Sequence, residues 1–301
     1  MAFNPNAVFI SPSSLADFDK CSQLYYYKNV YRSVRGLKIQ LINPALALGQ
    51  AVHDCLEVFL KLPVNERSKE TLMQKLDFSW EKISGEKGGF TLPEEEKAYK
   101  DRALEMLERF WRNEHFKNTE MEKIPGFPKA ELGDDIILTG KLDWLEKEGE
   151  FYHLVDFKTG KNEEKEGSIQ LPIYTVLISD MFNTQKIKAS YWYLDKDEEL
   201  VNFELPDNQE TKSYLKKKGE IVKMVRQTNS YRCQSGGESC WACRDILAVA
   251  KGEGKLVYMD PINRKQEVYI LPKEGEQKKE VVSESVSVNN NTNLSGDDLP
   301  F

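Results

Sequence analysis

The sequence has no apolar run approaching the length of a membrane span, and its N-terminus lacks the basic-then-apolar pattern of a secretory signal. A cytoplasmic protein with no membrane partner is expected. Positive charge is in deficit: 42 Lys and Arg against 49 Asp and Glu leave a formal net charge of -7. That field argues against nonspecific coating of DNA, so a nucleic acid would have to be held in a local basic cleft. Cysteine is sparse, and its count of five is odd. Without a signal pattern, this argues for a metal site over a disulfide framework. Apolar residues make up 40% of the 301, enough to pack one main domain.

The chain is arranged around Leu154-Val155-Asp156-Phe157-Lys158-Thr159-Gly160. Side chains alternate along a strand, so Asp156 and Lys158 share one face while Phe157 enters the opposite layer. Upstream, residues 136–145 read as a second strand, and Glu148-Gly149 lets the chain reverse into the first. That hairpin places Asp143 near Asp156. Two carboxylates in one cleft need a divalent cation to offset their repulsion. A lysine at the edge of such a site steadies an attacking hydroxide or the charge growing on a phosphate.

Helices dominate elsewhere. Ser11-Pro12-Ser13-Ser14 caps a stripe of Leu15, Phe18, Cys21, Leu24 and Tyr25. The aromatics Tyr25, Tyr26, Tyr27 and Tyr31 suit stacking on bases or, more simply, a core with a solvated rim. Residues 44–62 form a second helix with Leu48, Val52, Cys55, Leu56 and Phe59 buried and His53 beside them. Helices over 71–83 and 93–111 make up a helical part spanning about 63–117. Further on, a helix over 168–182 puts Gln170 and Tyr174 one turn apart on one face. Strands at 187–194 and 200–205 and a lysine-rich helix at 208–228 follow. Glu131 reads as an exposed strand residue.

Gly49-x-x-x-His53, Gly140-x-x-Asp143, Asp156-x-Lys158 and Gln170-x-x-x-Tyr174, in that order, resemble the RecB-like branch of the PD-(D/E)XK nucleases. A lone D-x-K is common by chance; four ordered pieces are specific. The resemblance runs from about Ser11 to about Asp245. It implies an α/β fold with a restriction-endonuclease-like mixed central sheet flanked by helices, carrying a helical insertion. His53, Asp143 and Asp156, with the carbonyl of Phe157, would hold Mg2+ or Mn2+. Lys158 would position the attacking water, and Gln170 and Tyr174 would orient the strand to be cut.

Cys233-x6-Cys240-x2-Cys243 lies within 229–250 in a Gly/Ser-rich loop, and by itself suggests zinc or a redox pair. A thiol redox site would need a βαβ context that is absent here. RecB-like nucleases with an iron-sulfur cluster pair one cysteine in the first helix with three near the domain's end. The resemblance therefore implies a [4Fe-4S] cluster on Cys21, Cys233, Cys240 and Cys243. The order departs from the family's, because Cys233 precedes the C-x-x-C pair instead of following it. Zinc on the same sulfurs stays open, and Cys55 reads as core.

The main domain is expected over 1–271. Over 272–301 the composition shifts to Lys, Glu, Ser, Val and Asn, which reads as a disordered linker. Its end, Asp297-Asp298-Leu299-Pro300-Phe301, resembles the acidic tip of bacterial single-stranded DNA-binding proteins. That resemblance implies docking on replication or repair proteins that read such tips. The function expected is a metal-dependent deoxyribonuclease, an exonuclease on DNA ends or single strands. The rival is a noncatalytic DNA-binding or recruitment module on the same scaffold.

Overall fold

The computed structural model describes residues 7–272. A short strand, β1 (Val8–Ile10), leads into helix α1 (Pro12–Lys20). Ser11 caps that helix: its hydroxyl accepts from Ser14 N at 3.2 Å, while its own N–H donates to Ser14 Oγ at 2.8 Å. The helix stops at Cys21, whose backbone is extended, and one further turn, α2 (Ser22–Tyr25), follows. After β2 (Lys38–Leu41) comes α3 (Pro44–Leu60), capped by Asn43, with Leu48, Val52, Cys55, Leu56 and Phe59 buried as their spacing predicts. The helical part is α4 (Lys69–Glu81), α5 (Pro93–Arg112) and α6 (Glu114–Asn118).

The strands then begin: β3 (Lys129–Gly133), β4 (Ile136–Thr139), β5 (Trp144–Glu148) and β6 (Phe151–Lys158). Helix α7 (Gln170–Phe182) links β6 to β7 (Ile187–Tyr193), and β8 (Val201–Phe203) precedes α8 (Asn208–Gln227). The described part closes with α9 (Arg244–Ala250), β9 (Lys255–Asp260) and β10 (Gln266–Ile270).

The expected single strand over 136–145 is two strands in different sheets. β4 lies between β1 and β3, whereas β5 pairs with β6 in the mixed sheet β5-β6-β7-β8. The break falls at Gly140, where a Cβ would sit 2.7 Å from the ring of Tyr174. Only glycine lets the chain pass that close to α7. The β5–β6 hairpin is otherwise as expected, turning through Gly149, in the left-handed region at φ 61, and Glu150.

β6 and β7 run parallel at the centre of the mixed sheet, and each contributes to two cores. Val155 and Phe157 face Phe110, Phe116, Trp144 and Trp192, beneath α3 to α6. Leu154 joins Tyr191, Tyr193 and the apolar side of α7 on the other face. Alternation thus holds along β6, and Asp156 is carried into the α7 layer with its even-numbered neighbours.

A third sheet, β2-β10-β9, was not foreseen. It pairs β10 parallel to β2 across most of the chain, and beside it Leu24, Ile39, Ile246 and Val249 form a small separate core with cysteines. No described helix is long and apolar enough to cross a membrane. The acidic tip, Asp297 to Phe301, lies outside the described residues, as does most of the proposed linker.

Candidate active site and cysteine centre

β5 begins at Trp144, opposite Val155, so no strand covers the edge of β6 beyond that point. Asp143, the residue just before β5, occupies the gap: its Oδ2 accepts from the N–H of Phe157 at 3.1 Å. A strand residue's N–H and C=O project to the same edge, so the Phe157 carbonyl faces this opening too. Oδ1 of the same carboxylate lies 3.1 Å from Nδ1 of His53, on the α3 wall. Gly49 explains how α3 comes so near, since a Cβ there would be 3.0 Å from Thr159 Oγ1 at the end of β6.

Asp156 and Lys158 stand on one face, as predicted, with Nζ 2.9 Å from Oδ2. Gln170, the first residue of α7, bridges them: its Oε1 accepts from Lys158 and its Nε2 donates to Asp156 Oδ1 at 2.8 Å. Nε2 also lies 3.3 Å from the Tyr174 hydroxyl. Tyr174 itself is buried against Gly140, so it reaches the cluster through Gln170. The sequence did not reveal Glu164, 3.0 Å from Lys158 Nζ, or the Tyr191 ring beneath that ammonium at 5.0 Å. Glu164 sits in a loop crowded with charges, where nothing marks it out. Tyr191 was legible only as an alternating strand aromatic.

The three charged side chains shift one another's ionisation. Burial and the charge of Asp143 push the Asp156 carboxyl up to about 7, although Lys158 and His53 oppose them. Burial works against the Lys158 ammonium, but Asp156 and Glu164 outweigh it and raise its pKa. Likewise, burial disfavours a charged His53, yet Asp143 lifts it above the ordinary imidazole value. A carboxyl that ionises reluctantly beside a second carboxylate gains most from a divalent ion. The donor set of one imidazole, two carboxylates and a main-chain carbonyl suits Mg2+ or Mn2+.

Cys21, Cys233, Cys240 and Cys243 converge, with their sulfurs all within 4.8 Å of one another and Cys243 Sγ 3.7 Å from Cys233 Sγ. A tetrahedral ion with metal–sulfur bonds of about 2.3 Å would set its sulfurs about 3.8 Å apart. The quartet fits one such ion; a four-iron cube would need the sulfurs to spread. N–H groups of Gly237 and Ser235 draw the Cys233 thiol down to about 7, whereas burial raises Cys21 and Cys243. Cys55 is apart from them, buried under α4 with its thiol pushed up to about 12 by burial.

The uncovered edge of a mixed sheet thus presents two carboxylates, an imidazole and a lysine, a set that could hold a cation beside a fixed positive charge. The family follows from the comparison, because the model of the PD-(D/E)XK nuclease superfamily matches residues 10–245. The chain belongs to that superfamily and is a nuclease, of a kind that uses divalent metals. No curated protein matches the chain. Among solved structures it is similar to a chain from Eubacterium rectale described as "putative exonuclease", at 16% identity and TM-score 0.48, covering 85% of this chain and 91% of that one. It is also similar to a protein described as SSO0001, at 11% identity and TM-score 0.27, covering 73% and 91%.

Proposed function

We propose that this chain is a divalent-metal-dependent deoxyribonuclease of the cytoplasm, an exonuclease on DNA ends or single strands in recombination, repair or replication. The observation that carries the reading is the contact of Asp156 with Lys158 on one face of β6, beside the pair His53–Asp143. His53, Asp143 and Asp156 would hold divalent ions, which would supply Lewis-acid polarisation of the phosphate and a water of lowered pKa. Lys158 holds its charge beside the attacking oxygen and steadies the pentacovalent phosphate. Gln170 fixes Lys158 against Asp156, and Tyr174 positions Gln170. Lys61 and Lys141 flank the opening at His53, both paired with Glu57, and would reach a phosphate by releasing that carboxylate. Labelled linear DNA should be degraded with Mg2+ or Mn2+ and left intact in EDTA. Absence of cleavage of single- and double-stranded DNA with either ion would favour the noncatalytic recruitment module.

The four cysteines are assigned to a structural metal. Their sulfur spacing supports a single zinc-class ion, while the resemblance to RecB-like nucleases supports a [4Fe-4S] cluster. The tip Asp297-Asp298-Leu299-Pro300-Phe301 is assigned to docking on proteins that read single-stranded DNA-binding-protein tails. A labelled peptide of these residues should bind such a protein in fluorescence polarisation and lose binding when Phe301 is removed. Equal polarisation with and without Phe301 would remove the assignment.

A further inference from the structure

Two of the three histidines lie outside the nuclease site, and both face glutamates at the other end of the β5–β6 hairpin. Glu146 on β5 stands directly opposite His153 on β6, and Glu148 follows two residues on, on the same face. His115, from α6, lies over them: its Nε2 is 2.9 and 2.7 Å from the two oxygens of Glu146. His153 Nδ1 is 3.1 Å from Glu148 Oε1 and 3.5 Å from Glu146 Oε1. Ligand atoms of His115, Glu146 and Glu148 fall within 4.8 Å of one another. Glu146 is only 3% exposed, so its carboxylate has no bulk water to rely on.

The hydrogen bonds behind His153 fix which nitrogen faces the carboxylates with a lone pair. The Ser190 hydroxyl donates to Asn202 Oδ1 at 3.1 Å, so it accepts from His153 Nε2, 3.0 Å away. A neutral His153 would aim its Nδ1 lone pair at Glu146 and Glu148, where a divalent cation would relieve the repulsion. An imidazole whose second nitrogen is held by a hydroxyl is oriented as metal-binding histidines are. Ser190, His153 and Glu148 also line up like a nucleophilic triad, but Ser190 is 0% exposed and no substrate reaches it. Lys188 takes the far oxygen of Glu148, Oε2, at 3.1 Å and leaves Oε1 facing His153.

We propose that His115, Glu146 and Glu148, with His153 held against both glutamates beside them, form a second metal site, taking one zinc-class divalent ion that clamps α6 to the β5–β6 hairpin. One imidazole and two carboxylates are nitrogen and oxygen donors that suit zinc, with a fourth position left for a water or for His153. The clamp acts on the fold around the nuclease site. Phe116, next to His115, packs against Trp144 at 4.9 Å, and Trp144 directly follows Asp143.

The test counts zinc on the full chain after dialysis against a chelator-buffered zinc solution, for the native protein and for H115Q and E146Q. The nuclease site and the cysteines contribute equally to all three, so a difference isolates this cluster. Both variants should bind one equivalent fewer, and zinc should raise the Tm of the native protein more than theirs. H115Q changes a half-exposed ring and serves as the decisive variant if E146Q does not fold. Equal zinc counts in the native protein and H115Q would overturn the proposal and leave the histidines hydrogen-bonded to their glutamates without a metal.

Discussion

Asp156→Asn is expected to lower DNA cleavage by on the order of 10³-fold or more, while raising the Tm of the metal-free protein at pH 8 by several degrees. The two effects share a cause. Asp156 is 2% exposed, beside Asp143, and its carboxyl is held up to about 7. In the unfolded chain the same group ionises near about 3.9. The native state therefore binds this proton more tightly. The stability it contributes is complete below about pH 4 and is lost as pH rises towards 7. Three pKa units correspond to about 4 kcal/mol, an upper bound because Asn forgoes one contact with Lys158. That lysine keeps Glu164 and Gln170, so the amide does not strand it.

Thermal melts in EDTA should thus show the variant ahead of the native protein at pH 8 and level with it near pH 4. Adding Mg2+ or Mn2+ should raise the native Tm and leave that of the variant unmoved, because the ion stabilises only the state it binds. A variant that melts lower than the native protein at pH 8, or cleaves at the native rate, would remove Asp156 from the metal site. Such a trade of stability for function is expected wherever a buried charge awaits its ion.

What could be read beforehand followed from local periodicity. Period two put Asp156 and Lys158 on one face of β6, and one helical turn put Gln170 beside Tyr174; their contacts follow from those spacings. The buried stripe of α3 was legible for the same reason, and it brought His53 to the wall that meets Asp143. Features that depend on distant packing were not legible. Residues 136–145 are nearly all apolar up to the break, and nothing local says that Gly140 must yield to a ring 34 positions later. β2, β9 and β10 are short and carry lysine, glutamine and glutamate, so their pattern is weak. Their pairing joins the two ends of the described chain. His115 and His153 escaped notice because their glutamates become neighbours only through the hairpin register and the docking of α6.

Cys243→Ser is expected to cost the largest share of stability of any single substitution outside the two main cores, lowering the melting temperature of the β2-β10-β9 end of the described chain by 10 °C or more. The cluster around the sulfurs is small: Cys21, Leu24, Ile39, Cys240, Cys243, Ile246 and Val249 are its buried members. So few apolar side chains cannot offset the ordering of β2, α9, β9 and β10. A four-thiolate metal can, since structural zinc contributes about 10–16 kcal/mol in small domains. It would also close a very long loop, since Cys243 Sγ lies 3.5 Å from Gln23 Oε1, 220 residues away. Loss of one thiolate should therefore act locally. Hydrogen exchange should rise in β2, α9, β9 and β10, while β6 and α7, which have their own cores, keep their protection. Metal analysis of anaerobically purified protein decides the ion: zinc in a colourless preparation agrees with the sulfur spacing, and iron with sulfide in a brown one agrees with the cluster. A Cys243→Ser protein with native Tm and native metal content would mean that the four sulfurs meet for packing alone, and that the β2-β10-β9 sheet is held by its own hydrogen bonds.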